Sequence, residues 1–146
     1  MNTSNYISSL ALLVSVVSLI ISWHFGFRDK SKLKTYAKFY PSHPNHDRAK
    51  IEIKIVNHGR RATILTLFGG DLEDGGMSGI YLGKEGDGLR LGEHEKYETI
   101  VYADDLLVTH PEGNIAQFVR FWFEDTLGQR HKIKNSEKLI SKLISV

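Results

Sequence analysis

The sequence predicts an all-β domain, an antiparallel β-sandwich, carried on one N-terminal transmembrane helix and followed by a short C-terminal helix. Three observations carry this reading. Residues 6–27 contain no Asp, Glu, Lys or Arg. Residues 35–134 break into short segments of alternating apolar and polar character, separated by turns rich in Gly, Asn and Asp. Residues 135–146 place Leu139, Ile140, Leu143 and Ile144 on one helical face, with Asn135 or Ser136 as the cap.

The N-terminal helix comes first. About 20 apolar residues, rising 1.5 Å each, cross the ~30 Å hydrocarbon core of a bilayer. Residues 1–5 form a short uncharged tail, residues 6–27 the span and residues 28–34 a basic connector. A secretory signal needs a basic leader and a small-x-small cleavage site. Neither is present, so the segment reads as an uncleaved anchor. Arg28, Lys30, Lys32, Lys34 and Lys38 follow the span, and no basic side chain precedes it. Cytoplasmic flanks are rich in Lys and Arg. The expected topology in a cell (inner) membrane is therefore N-terminus outside and domain in the cytoplasm. Trp23, Phe25 and Phe27 anchor the inner interface and Tyr6 the outer one.

Small residues line one face of this helix. Ser4, Ser8, Ala11, Ser15, Ser18 and Ser22 are spaced alternately four and three apart. Such a seam lets two membrane helices approach closely, through self-association or through a membrane protein partner. The simpler reading is that each Ser hydroxyl bonds the carbonyl four residues back.

Charge is distributed unevenly along the chain. Residues 28–61 carry ten basic side chains against three acidic, residues 62–125 four against thirteen, and residues 126–146 five against one. The basic–acidic–basic order suggests two ends near an anionic lipid surface and a middle held away from it; solvated faces that simply differ in charge are the alternative. The final helix, with Lys138 and Lys142 beside its apolar face, either lies on that surface or packs on the sandwich. There is no cysteine, which excludes structural disulfides and thiolate-bound zinc.

Within the domain, residues 33–40, 51–55, 62–68, 80–82, 97–102, 115–124 and 129–133 read as strands. Residues 57–60 read as a turn, residues 69–79 and 83–88 as Gly- and acid-rich loops, and residues 125–128 as a hairpin turn. In the aromatic strand, Phe118, Phe121, Trp122 and Phe123 are expected to be core with one aromatic exposed, because neighbours in a strand face opposite ways and Trp122 cannot share a sheet face with either neighbour.

Chemistry-bearing clusters are sparse. His43, His46 and Asp47 share one turn, but Pro44 separates the histidines and no third imidazole is near in sequence. Asp71, Glu73, Asp74 and Asp87 lack the spacing of a calcium loop. No metal site or cofactor is expected. Nucleophile elbows, zinc-protease helices and phosphate loops are absent, and the adjacent acids Asp104–Asp105 and Glu124–Asp125 suit turns better than acid–base pairs. No nucleic-acid partner is expected either, because the basic residues cluster beside the anchor, where lipid headgroups explain them more simply.

The segments IEIKIVNHGRR, ATILTL, LGEHEKY and RFWFEDTLGQRHK, following an anchor and a basic connector, resemble small single-pass membrane proteins of bacterial and prophage origin with an immunoglobulin-like domain. The resemblance implies an immunoglobulin-like architecture without the intersheet cysteine pair. It also implies a setting in which superinfection exclusion or host defence is a candidate role.

The expected function is non-enzymatic: a membrane-anchored interaction protein whose domain binds or occludes a protein partner at the bilayer. The alternative is a tethered domain that takes a metal or small ligand through the His43/His46 turn or the acidic loops. A reporter fused after Val146 is expected to be active only as a cytoplasmic reporter; activity of a periplasmic reporter at that position would reverse the topology.

Overall fold

The computed structural model describes residues 3–28, 30–43 and 48–145. The protein is mostly β, built of antiparallel sheets, with an apolar N-terminal helix and a short C-terminal one. Helix α1 spans Thr3–Arg28. Within it Tyr6–Gly26 is long and apolar enough to cross a membrane, and none of that span is buried against the rest of the chain.

Strands β1 (Leu33–Tyr40), β2 (Lys50–Asn57) and β6 (Lys96–Tyr102) form a three-stranded sheet with β2 in the middle. Ile51, Ile53 and Ile55 of β2 point inward and are fully buried, while Lys50, Glu52 and Lys54 alternate outward. Strand β1 begins at Leu33, which pairs with Asn57, so the expected connector of residues 28–34 shortens to the few residues between α1 and β1.

The second sheet is built on β3 (Thr63–Leu72) and β8 (Ile115–Asp125). Two short strands cover each outer edge of this pair. Strands β4 (Met77–Tyr81) and β5 (Leu89–Leu91) bond successive parts of β3, while β7 (Leu107–Thr109) and β9 (Arg130–Lys132) bond successive parts of β8. Residues 69–72 belong to β3, not to the loop expected there. Gly69 and Gly70 continue the strand because neighbouring strands pass very close on both sides: a Cβ on Gly70 would collide with the Arg120 carbonyl oxygen and the Phe118 ring of β8, and one on Gly69 with the Ser78 carbonyl oxygen of β4.

The aromatic strand also departs from simple alternation. The β3–β8 register shifts between Asp71 and Leu72, leaving Val119 unpaired, so Phe118 and Phe121 both reach the core despite their odd spacing. Phe68 stacks 5.0 Å from Phe123 and 5.6 Å from Phe121, and Tyr97 of the first sheet meets Phe123 edge-on at 6.0 Å. One core thus joins both sheets. Trp122 faces the other way, yet it is buried too, which corrects the expectation of an exposed aromatic. Its Nε1 donates to Asp71 Oδ1 at 2.9 Å, and the Arg130 guanidinium covers its ring at 4.5 Å.

Helix α2 (Ser136–Ile144) packs across β8, β1 and β2 and buries Ile140 and Leu143. Of the two placements open to it, packing on the sheets is the one found. Asn135, expected as a cap, adopts a left-handed conformation with no side-chain capping bond, and the buried Ser136 hydroxyl accepts from Phe121 N at 3.3 Å instead. Ile144 stays exposed, so the apolar face is narrower than expected.

Two polar side chains fix the end of the domain nearest α1. Asn57 is 0% exposed. Its Oδ1 accepts from Gly59 N at 2.9 Å and Lys32 N at 3.2 Å, and its Nδ2 donates to Arg61 O at 2.8 Å and Leu91 O at 3.2 Å. The His58 amide bonds Lys32 O at 2.8 Å, and a Cβ on Gly59 would strike the backbone of Lys30 to Lys32. Asp125, 6% exposed, accepts from Leu127 N, Gln129 N and His131 Nε2, each at 2.9 Å, and shapes the β8–β9 hairpin. Burial pushes its carboxyl pKa up, but the His131 ring and the amides of Gln129 and Leu127 outweigh this and hold it below the ordinary aspartate value.

Replacing Asn57 with Ala strands two amides and two carbonyls, so Asn57→Ala is expected to cost about 2–4 kcal/mol in a chemical-denaturation experiment on the detergent-solubilised protein. A loss under about 0.5 kcal/mol would remove Asn57 as the organising contact. The Asp125 contribution is present above the unfolded-state pKa of about 4 and is lost as pH falls through the lower folded value. Asp125→Asn is therefore expected to lower Tm at neutral pH and to flatten the decline of Tm in the acid range. Parallel acid profiles for the two proteins would contradict the assignment.

Candidate functional site

On the side of the domain where β4 and β6 are the outermost strands, the two sheets do not close. The gap is an apolar cleft of about 340 Å³. Ser78, Gly79 and Ile80 of β4 form one wall and Thr99, Ile100 and Val101 of β6 the other, over a floor of Phe68, Phe118 and Phe121. Asp105 stands at its rim, and its carboxylate accepts from Tyr102 N at 2.8 Å. Ile80 is 60% exposed and Ile100 45%, with Met77 and Tyr81 exposed beside them on β4. Two unpaired backbone edges therefore flank an apolar trough. Apart from the short-strand reading at residues 80–82, sequence gave no sign of it. The trough exists because edges from distant parts of the chain end on one side.

The opposite side is different. There α2 covers much of the gap, and next to it Lys34, Lys132 and Lys134 line an open groove of about 690 Å³ with Tyr36, His131 and Asn135. The Thr35 hydroxyl ties its two walls together, donating to Lys132 O at 3.0 Å. The connector lysine and the C-terminal basic segment, far apart in sequence, thus meet in one groove. Lys138, at the start of α2, stays near Lys132 and Asn135, while Lys142 rides further along the helix toward the other end of the domain, where Leu143 lines a depression with Ala49 and Tyr102.

The remaining expected residues are placed as follows. Ser8, Ala11, Ser15, Ser18 and Ser22 fall on one exposed face of α1. The Ser15 hydroxyl donates to Ala11 O at 2.9 Å, so at that position the bond is within the helix. Trp23 is exposed near the end of the span. The side chains of Phe27 and Arg28 lie outside the described residues, as do His46 and Asp47. Lys30 and Lys32 contribute backbone to the contact around Gly59 and Asn57.

The acidic loop residues are drawn to separate neighbours rather than to a common point. Asp71 holds Trp122 and lies 3.7 Å from Arg120; Asp74 accepts from Gly76 N at 2.8 Å and lies 3.0 Å from His110. Arg120 Nε donates to Glu137 at 2.8 Å, and this carboxylate holds the guanidinium pKa up. On the outer face of the first sheet, Lys96 and Lys54 hold the Glu98 carboxyl below its ordinary value. Among the described residues no group of three His, Cys, Asp or Glu side chains could hold a metal ion.

No family model matches the chain, and no curated protein matches it. Among solved structures, an X-ray structure described as Northeast Structural Genomics Consortium target SoR45 aligns over 73% of this chain and 82% of that one, at 13% identity and a TM-score of 0.29. An alignment of that quality carries no argument about fold or function.

Proposed function

We propose that the protein is a non-enzymatic, single-pass membrane protein whose domain captures an extended segment of a protein partner at the membrane surface. The observation that carries this reading is the apolar cleft between the free edges of β4 and β6. A free strand edge offers unpaired amides and carbonyls to an added strand, and apolar side chains beside it supply pockets for alternate residues of the guest. Native edges are commonly blunted by charge or proline. Strand β4 has neither in Met77–Tyr81 and exposes Met77, Ile80 and Tyr81 instead.

The finer parts of the reading have their own support. Strand order β1-β2-β6 against β4-β3-β8, with β9 and β7 both paired to β8 and β5 to β3, is compatible with the A-B-E against C′-C-F-G order of immunoglobulin-like sandwiches when β5 and β7 are taken as additions to it. The basic residues Lys30, Lys32 and Lys34 directly behind the span favour an N-out, C-in topology in the inner membrane. The serine-lined face of α1 suits pairing with a second membrane helix. The exclusion or defence role rests on the family resemblance alone.

A photo-crosslinking residue placed at Ile80 or at Ile100 of the full-length protein in its native membrane tests the proposal. A discrete protein adduct is expected from both positions, with at most background from Tyr36 on the outer face of the first sheet, and Ile80→Asp is expected to abolish the adduct formed from position 100. Equal yields from all three positions, or none, would overturn it.

A further inference from the structure

We infer that the end of the domain nearest α1 is itself a docking surface for anionic phospholipid headgroups, with Arg60 and Arg61 on the phosphates and Leu127 entering the interfacial layer. This rests on the reading that α1 spans a membrane.

Position comes first. Helix α1 ends at Arg28, and the Lys32 amide is bonded to Asn57. Four residues reach at most about 14 Å when fully extended. The apolar span stops at Gly26, so the Asn57 end of the domain is confined to the headgroup layer or just beyond it. The connector is also no free tether. Its backbone is bonded to Asn57 and His58 and seated on Gly59, which restricts how far the domain can turn away.

The chemistry of that end matches an anionic surface. The turn between β2 and β3 exposes His58, Arg60 and Arg61 beside Lys30 and Lys32. Among the described residues neither Arg60 nor Arg61 is in an ion pair. The acids nearby in the loop before β6 have other neighbours: Glu95 accepts from Gly92 N at 2.6 Å, and Glu93 lies 3.7 Å from His94. The opposite end carries Glu73, Asp74, Asp104, Asp105 and Glu112 against Arg48, which is paired to Asp104 at 3.3 Å, Lys50 and Lys142, so the acidic excess lies away from Arg60 and Arg61.

Leu127 is the independent observation. It is 88% exposed, the highest value among the described large hydrophobic residues. It tips the β8–β9 hairpin, which joins the same end through Thr126 N to Ile64 O at 3.1 Å. Asp125 fixes its backbone, so an apolar side chain is held out at the end of the domain that carries the arginines. An exposed apolar tip at the same end as a cluster of basic residues is the pattern of an interfacial membrane contact.

The chain has no cysteine, so single-cysteine variants can be labelled cleanly. Full-length protein is reconstituted in vesicles of pure phosphatidylcholine or with phosphatidylglycerol added, with a polarity-sensitive dye at Leu127→Cys, Val14→Cys or Glu112→Cys. With the anionic lipid, the position-127 dye is expected to shift to the blue and be quenched by spin-labelled lipid, while the position-112 dye stays water-like. Each of Arg60→Gln and Arg61→Gln is expected to lower the docked-to-undocked ratio roughly fivefold, and high salt to reverse the shift. A water-like dye at 127 beside a lipid-buried dye at 14 overturns the inference and leaves the anchor standing. A water-like dye at 14 overturns the anchor and the inference together. Hydrogen exchange of the unsubstituted protein gives a second reading: residues 58–61 and 126–129 are expected to exchange more slowly with anionic lipid, and identical rates in both vesicles would also overturn the docking surface.

Discussion

The buried carboxamide of Asn57 is the contact on which the rest depends. Four backbone groups from four places in the chain meet on it: the connector, the β2–β3 turn at Gly59 and at Arg61, and the end of β5. An amide can both donate and accept, so one side chain satisfies two N–H and two C=O groups that burial would otherwise leave without partners. Its own backbone adds bonds to Glu95 and His94. The start of β1, the turn into β3 and the turn into β6 are thereby set at one level of the domain. The connector is drawn into the same contact, and the helix and the domain become mechanically linked.

The β3–β8 pair supplies the second constraint. Gly70 lets β8 come close and Gly69 lets β4 do so, and the register shift beside them rotates Phe118 onto the core face with Phe121 and Phe123. The aromatic cluster against Phe68 and Tyr97 then holds the two sheets together. Because β4 and β6 end on one side and α2 lies on the other, the domain has one apolar open side and one side that is covered and basic. That asymmetry separates a surface suited to a protein segment from surfaces suited to anions.

Charge order along the chain takes on a spatial meaning only in part. Of the first basic block, Lys30, Lys32, Arg60 and Arg61 lie at the end nearest α1 while Arg48 and Lys50 lie at the far end, and much of the acidic block is carried to that far end by the turns after β3 and β6. The last basic block divides. Lys132 and Lys134 come beside Lys34, Lys138 stays near Lys132, and Lys142 travels with α2 away from that end. Burial of Ile140 and Leu143 decides the course of α2, because covering apolar surface outweighs the attraction of two exposed lysines to a lipid surface.

Sequence alone determined the properties that depend on local pattern: an apolar helix long enough to span a bilayer, the β character of the domain, the inward isoleucines of β2 and the hairpin after Glu124. Each is set by neighbours within a few residues, where periodicity and turn chemistry act directly. The role of Asn57 was beyond reach, because a buried hub and an ordinary turn asparagine share the same local sequence, N-H-G-R. The strand course of Gly69 and Gly70, the burial of Trp122 under Arg130 and the meeting of Lys34 with Lys132 were equally hidden. Tertiary structure decided these, and it decided the apolar cleft and the placing of exposed Leu127 at the same end as the arginines, since each depends on which distant strand comes to lie alongside.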